Sequence, residues 1–143
     1  MTRLIDSLIN LFARIPHALI AVLGRIAVGL VFWNMARAKV RGWNVFEASG
    51  SSLDQFRAYR LPYIPAEIGA ITMQVAEHVL PAMLIIGLAS RFSALGLLIL
   101  TILMQVFFNP GAYLLYGAWA AILLMLMKYG PGKISLDYLI YRR

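Results

Sequence analysis

Apolar residues in this chain gather into four long blocks. The first, HALIAVLGRIAVGLVFWNMA (17–36), is broken only by Arg25 and Asn34. The second starts near Pro65, ends at Gly87, and holds Glu67, Gln74, Glu77 and His78. The third is FSALGLLILTILMQVFF (92–108), and the fourth is AYLLYGAWAAILLMLM (112–127). Each is about 16–23 residues, or roughly 24–35 Å of helix, close to the hydrocarbon thickness of a bilayer. A soluble domain of this size could not hide four such blocks from water. The pattern predicts an all-α membrane protein: one domain over residues 1–143, folded as an antiparallel bundle of four transmembrane helices. The spans fall at about 17–38, 65–87, 92–108 and 112–128.

The segments between the blocks have patterns of their own. In RLIDSLINLFARI, Leu4, Ile5, Leu8, Leu11, Phe12 and Ile15 share one face of a helical wheel. Asp6, Ser7, Asn10 and Arg14 share the other. This predicts an amphipathic helix over 2–15 lying along the membrane surface and ended by Pro16. A helix packed on a soluble partner would use the same pattern. The loop 40–64 is the most polar stretch. It contains a short helix from Ser52 or Leu53 to Arg60, ended by Pro62 and Pro65 and expected to rest as a lid on the bundle. Trp43, Phe46, Phe56, Tyr59 and Tyr63 suit the lipid–water boundary, as does Trp33. NPG (109–111) is a tight turn, so spans three and four form a hairpin. GPG (130–132) breaks the fourth span, and an amphipathic tail over 133–143 restarts helix near Ser135, with Leu136, Leu139 and Ile140 toward lipid.

Composition sharpens this picture. The chain is 62% hydrophobic with a mean hydropathy of +0.78, above the usual globular share. Its net charge of +7 belongs to membrane topology rather than to nucleic acid. Arg3, Arg14, Arg91, Lys128, Lys133, Arg142 and Arg143 flank the spans at the end that carries both termini. Arg37, Lys39, Arg41, Arg57 and Arg60 lie at the other end. Seven cations against five place both termini in the cytoplasm. The absence of cysteine excludes disulfides, thiol redox chemistry and thiolate metal sites. No cleavable leader is expected, because the first apolar run begins late and no small-residue cleavage site follows it.

The candidate chemistry is the set of polar groups inside the blocks. Arg25 lies nine residues past Pro16, and Glu77 nine residues before Ile86, each ~14 Å deep on oppositely running helices. A charge in hydrocarbon costs a few kcal/mol, so it turns inward and finds a partner. The expectation is an Arg25–Glu77 pair, with Gln74, His78, Thr101 and Gln105 close by as a polar pocket. Asn34, Lys39, Glu67 and Asn109 make a second layer at its mouth. Wheel positions agree: Ala21, Arg25, Gly29, Phe32 and Ala36 form one stripe, and Glu67, Ala70, Gln74, Glu77, His78 and Pro81 another. The fourth span offers only aromatics to this layer, such as Tyr116 and Trp119. Other readings stand beside this one. A buried ion pair with amide neighbours also serves only to set helix register. Lys39 could snorkel to the headgroups, and the methionines of LLMLM are those of a packing or lipid-facing surface. His78 beside a carboxylate can carry protons near neutral pH. The two histidines, His17 and His78, sit at different depths, so neither a bis-histidine haem nor a histidine metal site is expected.

Three segments, GRIAVGLVFWNMARAKV (24–40), EHVLPAMLIIGLASR (77–91) and GPGKISLD (130–137), carry a resemblance to the DoxX family of small four-span prokaryotic membrane proteins. The likeness covers roughly residues 19–140. The matching positions are Arg25, Phe32, Lys39, Glu77, Pro81, Gly87, Arg91, Gly130, Gly132, Ser135 and Asp137. This chain departs at the end of span one: Met35 and Ala36 stand where many relatives have His-Gly or Ser-Gly, and Arg37 replaces an apolar residue.

The resemblance implies a multi-pass protein of a prokaryotic cytoplasmic (inner) membrane. It also implies a membrane subunit of a quinone-linked oxidoreductase, or a companion of an oxidoreductase or stress-related partner protein. The expected ligand is then a quinone or similar apolar molecule between spans one to three, with Arg25 or His78 on a quinone carbonyl and Glu77 as proton partner. No cofactor motif is present, so electrons would come from a partner, and the isolated chain is not expected to be an enzyme. Two other classes remain open: a scaffold or assembly factor for partner proteins, and a small-solute or proton pathway, for instance one formed by a homo-oligomer.

Overall fold

A computed structural model describes residues 2–40, 42, 44–47, 49–59 and 64–141. Arg41, Trp43, Arg60, Pro62, Tyr63, Arg142 and Arg143 lie outside the described residues, as do the side chains of Arg3, Leu4, Leu8 and Tyr59. The elements are α1 (Thr2–Ala13), α2 (His17–Lys39), α3 (Gly50–Tyr59), α4 (Ala66–Ile86), α5 (Ser90–Leu103), α6 (Tyr113–Tyr129) and α7 (Leu136–Tyr141). A π-helical turn (Met104–Phe108) and a 3-10 turn (Pro110–Ala112) join α5 to α6. Among the described residues there is no strand. Four segments are long and apolar enough to cross a membrane: His17–Lys39, Ala66–Ile86, Ser90–Phe108 and Pro110–Tyr129. The protein is a four-span α-helical membrane protein.

The four spans close into a ring, with α2 against α4, α4 against α5, α5 against α6 and α6 against α2. The exterior is apolar: Leu23, Leu30, Ile99, Ile102 and Leu114 are all exposed, as a surface facing acyl chains requires. Phe32, Leu84, Leu97, Leu123 and Leu126 fill the interior. Trp119 packs between Phe32 and Tyr116, its ring 5.3 Å from each, tilted to the first and edge-on to the second. Two stripes turn inward on α2 and α4. They are Ala21, Arg25, Val28, Gly29, Phe32 and Ala36, and Ala70, Gln74, Glu77, His78, Pro81 and Leu84. Glu67, placed on the second stripe from its spacing, is exposed in the first turn of α4.

The register of α2 against α4 governs everything that follows. They pack tightly at Gly29, where a Cβ would meet Ile85 Cγ1 at 2.5 Å and Pro81 O at 3.4 Å. Continuing one turn, Arg25 lies level with Gly87. The end of α4 is therefore set in by eight residues from the start of α2, ~12 Å, and the start of α4 projects correspondingly past Lys39. Such a stagger leaves a step at each end of the pair. Residues 130–137 occupy the step at the end carrying the termini, the terminal end. There a Cβ on Gly132 would touch Ala18 Cα at 3.0 Å. At the loop end, residues 44–47 and α3 fill the other step. Gln74 Nε2 donates to Val45 O and Glu47 O at 2.7 and 2.9 Å. The Phe56 ring packs over Gly69 and lies 5.7 Å from Phe108. Ser49 caps α3 by accepting the Ser52 N–H.

Candidate functional site

The polar groups expected to form one layer fall into two, one toward each end of the bundle. The loop-end cluster is built on Glu77. Its carboxylate is 1% exposed and accepts from Lys39 Nζ at both oxygens, 2.8 and 2.9 Å. The expected Arg25–Glu77 pair does not form. Arg25 is level with Gly87, ten residues or ~15 Å along α4 from Glu77. The depth count assumed that α2 begins and α4 ends at one inner boundary, and the stagger removes that assumption. Lys39 fits for a physical reason: its stem reaches inward from the helix end, and its side chain, 22% exposed, keeps partial contact with the surroundings. It therefore turns to the interior rather than to the headgroups.

His78 follows Glu77 on the same buried stripe. Its Nδ1 lies 2.8 Å from Gln74 O, and because a carbonyl only accepts, Nδ1 carries the proton. Nε2 is buried and has no partner among the described residues. The Trp33 ring meets the imidazole edge-on at 5.6 Å, and Tyr116 lies within electrostatic reach of Glu77. The sequence put Trp33 at the interface and Tyr116 in the layer only as one of the aromatics of span four, since an aromatic run carries no mark of which ring turns toward a charge. Gln74 Nε2 is committed to the loop carbonyls, while its Oε1 is buried without a partner among the described residues, and the Thr101 hydroxyl donates to Leu97 O within its own helix. Gln105 sits in the π-helical turn, where its Nε2 donates to Pro110 O at 2.7 Å and its Oε1 is buried without a partner. Asn34, Glu67 and Asn109 are exposed, and no hydrogen bond or ion pair joins them to Lys39. Of the four mouth residues, only Lys39 enters the cluster.

The terminal-end cluster is a knot around the α4–α5 turn. Gly87 has φ +76° and closes α4: its N–H reaches Leu84 O and Met83 O, and Leu88 N–H reaches Met83 O. A Cβ there would also strike Ser135. Ala89 follows at φ 46°, a left-handed conformation that a non-glycine residue adopts at a cost. The Asp137 carboxylate holds it, accepting from Ala89 N–H at 2.7 Å and Ser90 N–H at 2.8 Å at the start of α5. Asp137 N–H in turn donates to Gly87 O, and Ser135 Oγ accepts the Tyr138 N–H. Arg25 Nη2 donates to Ile134 O and lies in the field of Asp137. Arg25 thus ties α2 to the tail. The capping role of Asp137 went unread in the sequence because it acts across 48 residues rather than on its own helix.

Sequence comparison adds the following. The DoxX family model matches residues 20–110, and no curated protein or solved structure matches the chain. The match takes in Arg25, Lys39, Glu77, His78 and Gly87, while Ser135 and Asp137 lie beyond it. Covering well over half of the chain, it establishes that this four-span protein belongs to the DoxX family.

Proposed function

We propose that the protein is the membrane subunit of a redox system and binds a quinone or similar apolar ligand beside the Glu77–His78 layer. One observation carries this reading: the imidazole Nε2 is buried without a partner among the described residues, on a ring that follows the ion-paired Glu77 and meets Trp33 edge-on. With Nδ1 protonated, neutral His78 offers a lone pair to a quinol hydroxyl, and protonated His78 donates to a quinone carbonyl. Electrons would come from a partner protein that carries a redox centre. Protons would pass through His78, with Glu77 and Lys39 setting the local field. Arg25, Thr101 and Gln105 are outside the proposed contact set. In this reading the protein sits in the cytoplasmic membrane with both termini inside, and α1 lies along the surface with the exposed Ile5, Leu11 and Phe12 toward lipid.

The test uses purified protein and decylubiquinone as the probe. His78→Leu should abolish binding while the protein keeps its helical content and unfolding temperature, and His78→Gln should retain part of the affinity. Unchanged binding in His78→Leu would refute the contact. A scaffold reading draws on a specific feature: both Glu77 oxygens are already satisfied by Lys39. It would be favoured if the wild-type protein bound no quinone yet carried a stoichiometric protein partner from native membranes.

A further inference from the structure

A cleft of about 1150 Å3 opens at the terminal end, between the start of α2, the α4–α5 turn, the end of α6 and the tail. It is remote from the Glu77 layer and has a different chemistry. One wall is apolar, with Phe92, Leu95 and Ile140 exposed along it. The rim carries two cations, Arg91 and Lys133, both exposed. Neither is in an ion pair among the described residues. The acid on the lining, Asp137, has its two oxygens engaged by the Ala89 and Ser90 N–H groups and lies in the field of Arg25, so it leaves the rim cations unneutralised. The Arg91 guanidinium stretches over Gly130, where a Cβ would come within 3.5 Å of Nε and Nη2. Its charge thus lies against a second residue of the cleft lining. His17 completes the rim, its ring 5.7 Å from that of Tyr129.

We infer that this cleft binds an anionic phospholipid, its phosphodiester between Arg91 and Lys133 and an acyl chain along Phe92, Leu95 and Ile140. The cleft belongs to a bundle whose apolar exterior faces acyl chains, so its mouth meets the headgroup layer while its wall continues into hydrocarbon. Uncompensated interfacial cations favour a lipid with net negative charge over a zwitterionic one, whose ammonium they would repel. The inference is independent of the quinone reading.

Native mass spectrometry of the whole chain, released from detergent with phosphatidylglycerol or phosphatidylcholine, tests it. Wild type should retain phosphatidylglycerol in preference to phosphatidylcholine, and the Arg91→Gln/Lys133→Gln double variant should lose roughly thirtyfold in that affinity, the scale of two interfacial cations. Glycerol phosphate should not displace the lipid; if it did, the site would be one for a free phosphate ester. Equal retention of both lipids, or an undiminished variant, would overturn the assignment. A photoactivatable phosphatidylglycerol on the wild-type protein gives a readout free of any folding defect in the variant. Its adducts should fall within residues 16–18, 88–95 and 127–140, and adducts spread evenly over the spans would refute the site.

Discussion

Lys39 and Glu77 differ in what each can do when the other is lost. Glu77 is 1% exposed and has no second cation among the described residues, whereas Lys39 is 22% exposed and stands at a helix end. Removing the cation strands a carboxylate in the bundle, a defect of about 3–5 kcal/mol. Removing the carboxylate lets the lysine turn outward to the headgroups. Lys39→Met should therefore destabilise more than Glu77→Gln, and the double variant should recover most of the Lys39→Met loss. Unfolding of the three variants in detergent would check this, and equal single losses would contradict the asymmetry. Both residues stand out in the sequence as charges in or beside apolar blocks. Their pairing was not legible there, because depth counted from sequence presumes a common boundary for α2 and α4.

At the level of elements, α5 begins without a capping side chain of its own and relies on the tail. Asp137 supplies a carboxylate to two free N–H groups at a helix N-terminus, an arrangement that favours negative charge. Asp137→Ala should cost about 2–3 kcal/mol, since two charge-assisted hydrogen bonds go at once. Ala89→Gly should do the opposite. It relieves a left-handed alanine while giving back some unfolded-state entropy, for a net gain of about 0.5–1 kcal/mol. Thermal unfolding of the two variants against wild type decides both signs, and a destabilised Ala89→Gly would mean that the turn is not strained. The breaks at Gly87 and at GPG are readable from glycine and proline alone. That the two breaks meet is not, because their contact depends on how far α4 ends short of α2.

For the whole molecule, the number of spans and the two inward stripes on α2 and α4 follow from block length and helical period, and both were legible. The stagger was not, since nothing in an apolar block marks where it sits against its neighbour. Orientation rests on the flanking cations: a C-terminal alkaline phosphatase fusion should be inactive in cells and a C-terminal green fluorescent protein bright, and the reverse would invert the topology. The stagger has its own consequence. If residues 130–137 were only an exit tail, removing 131–143 would cost no more than Asp137→Ala. The same segment, however, gives Arg25 its carbonyl acceptor at Ile134, packs Gly132 on Ala18 and Ala21, and covers Gly87 with Ser135. Each buried polar group left without a partner adds about 1–3 kcal/mol, and Arg25 is a full charge in the bundle interior. The truncated chain should therefore lose clearly more than Asp137→Ala, and replacing Arg25 by Met in that background should restore part of the loss. A truncation no worse than the point variant, or one that Arg25→Met fails to improve, would show that the tail does not plug the step between α2 and α4.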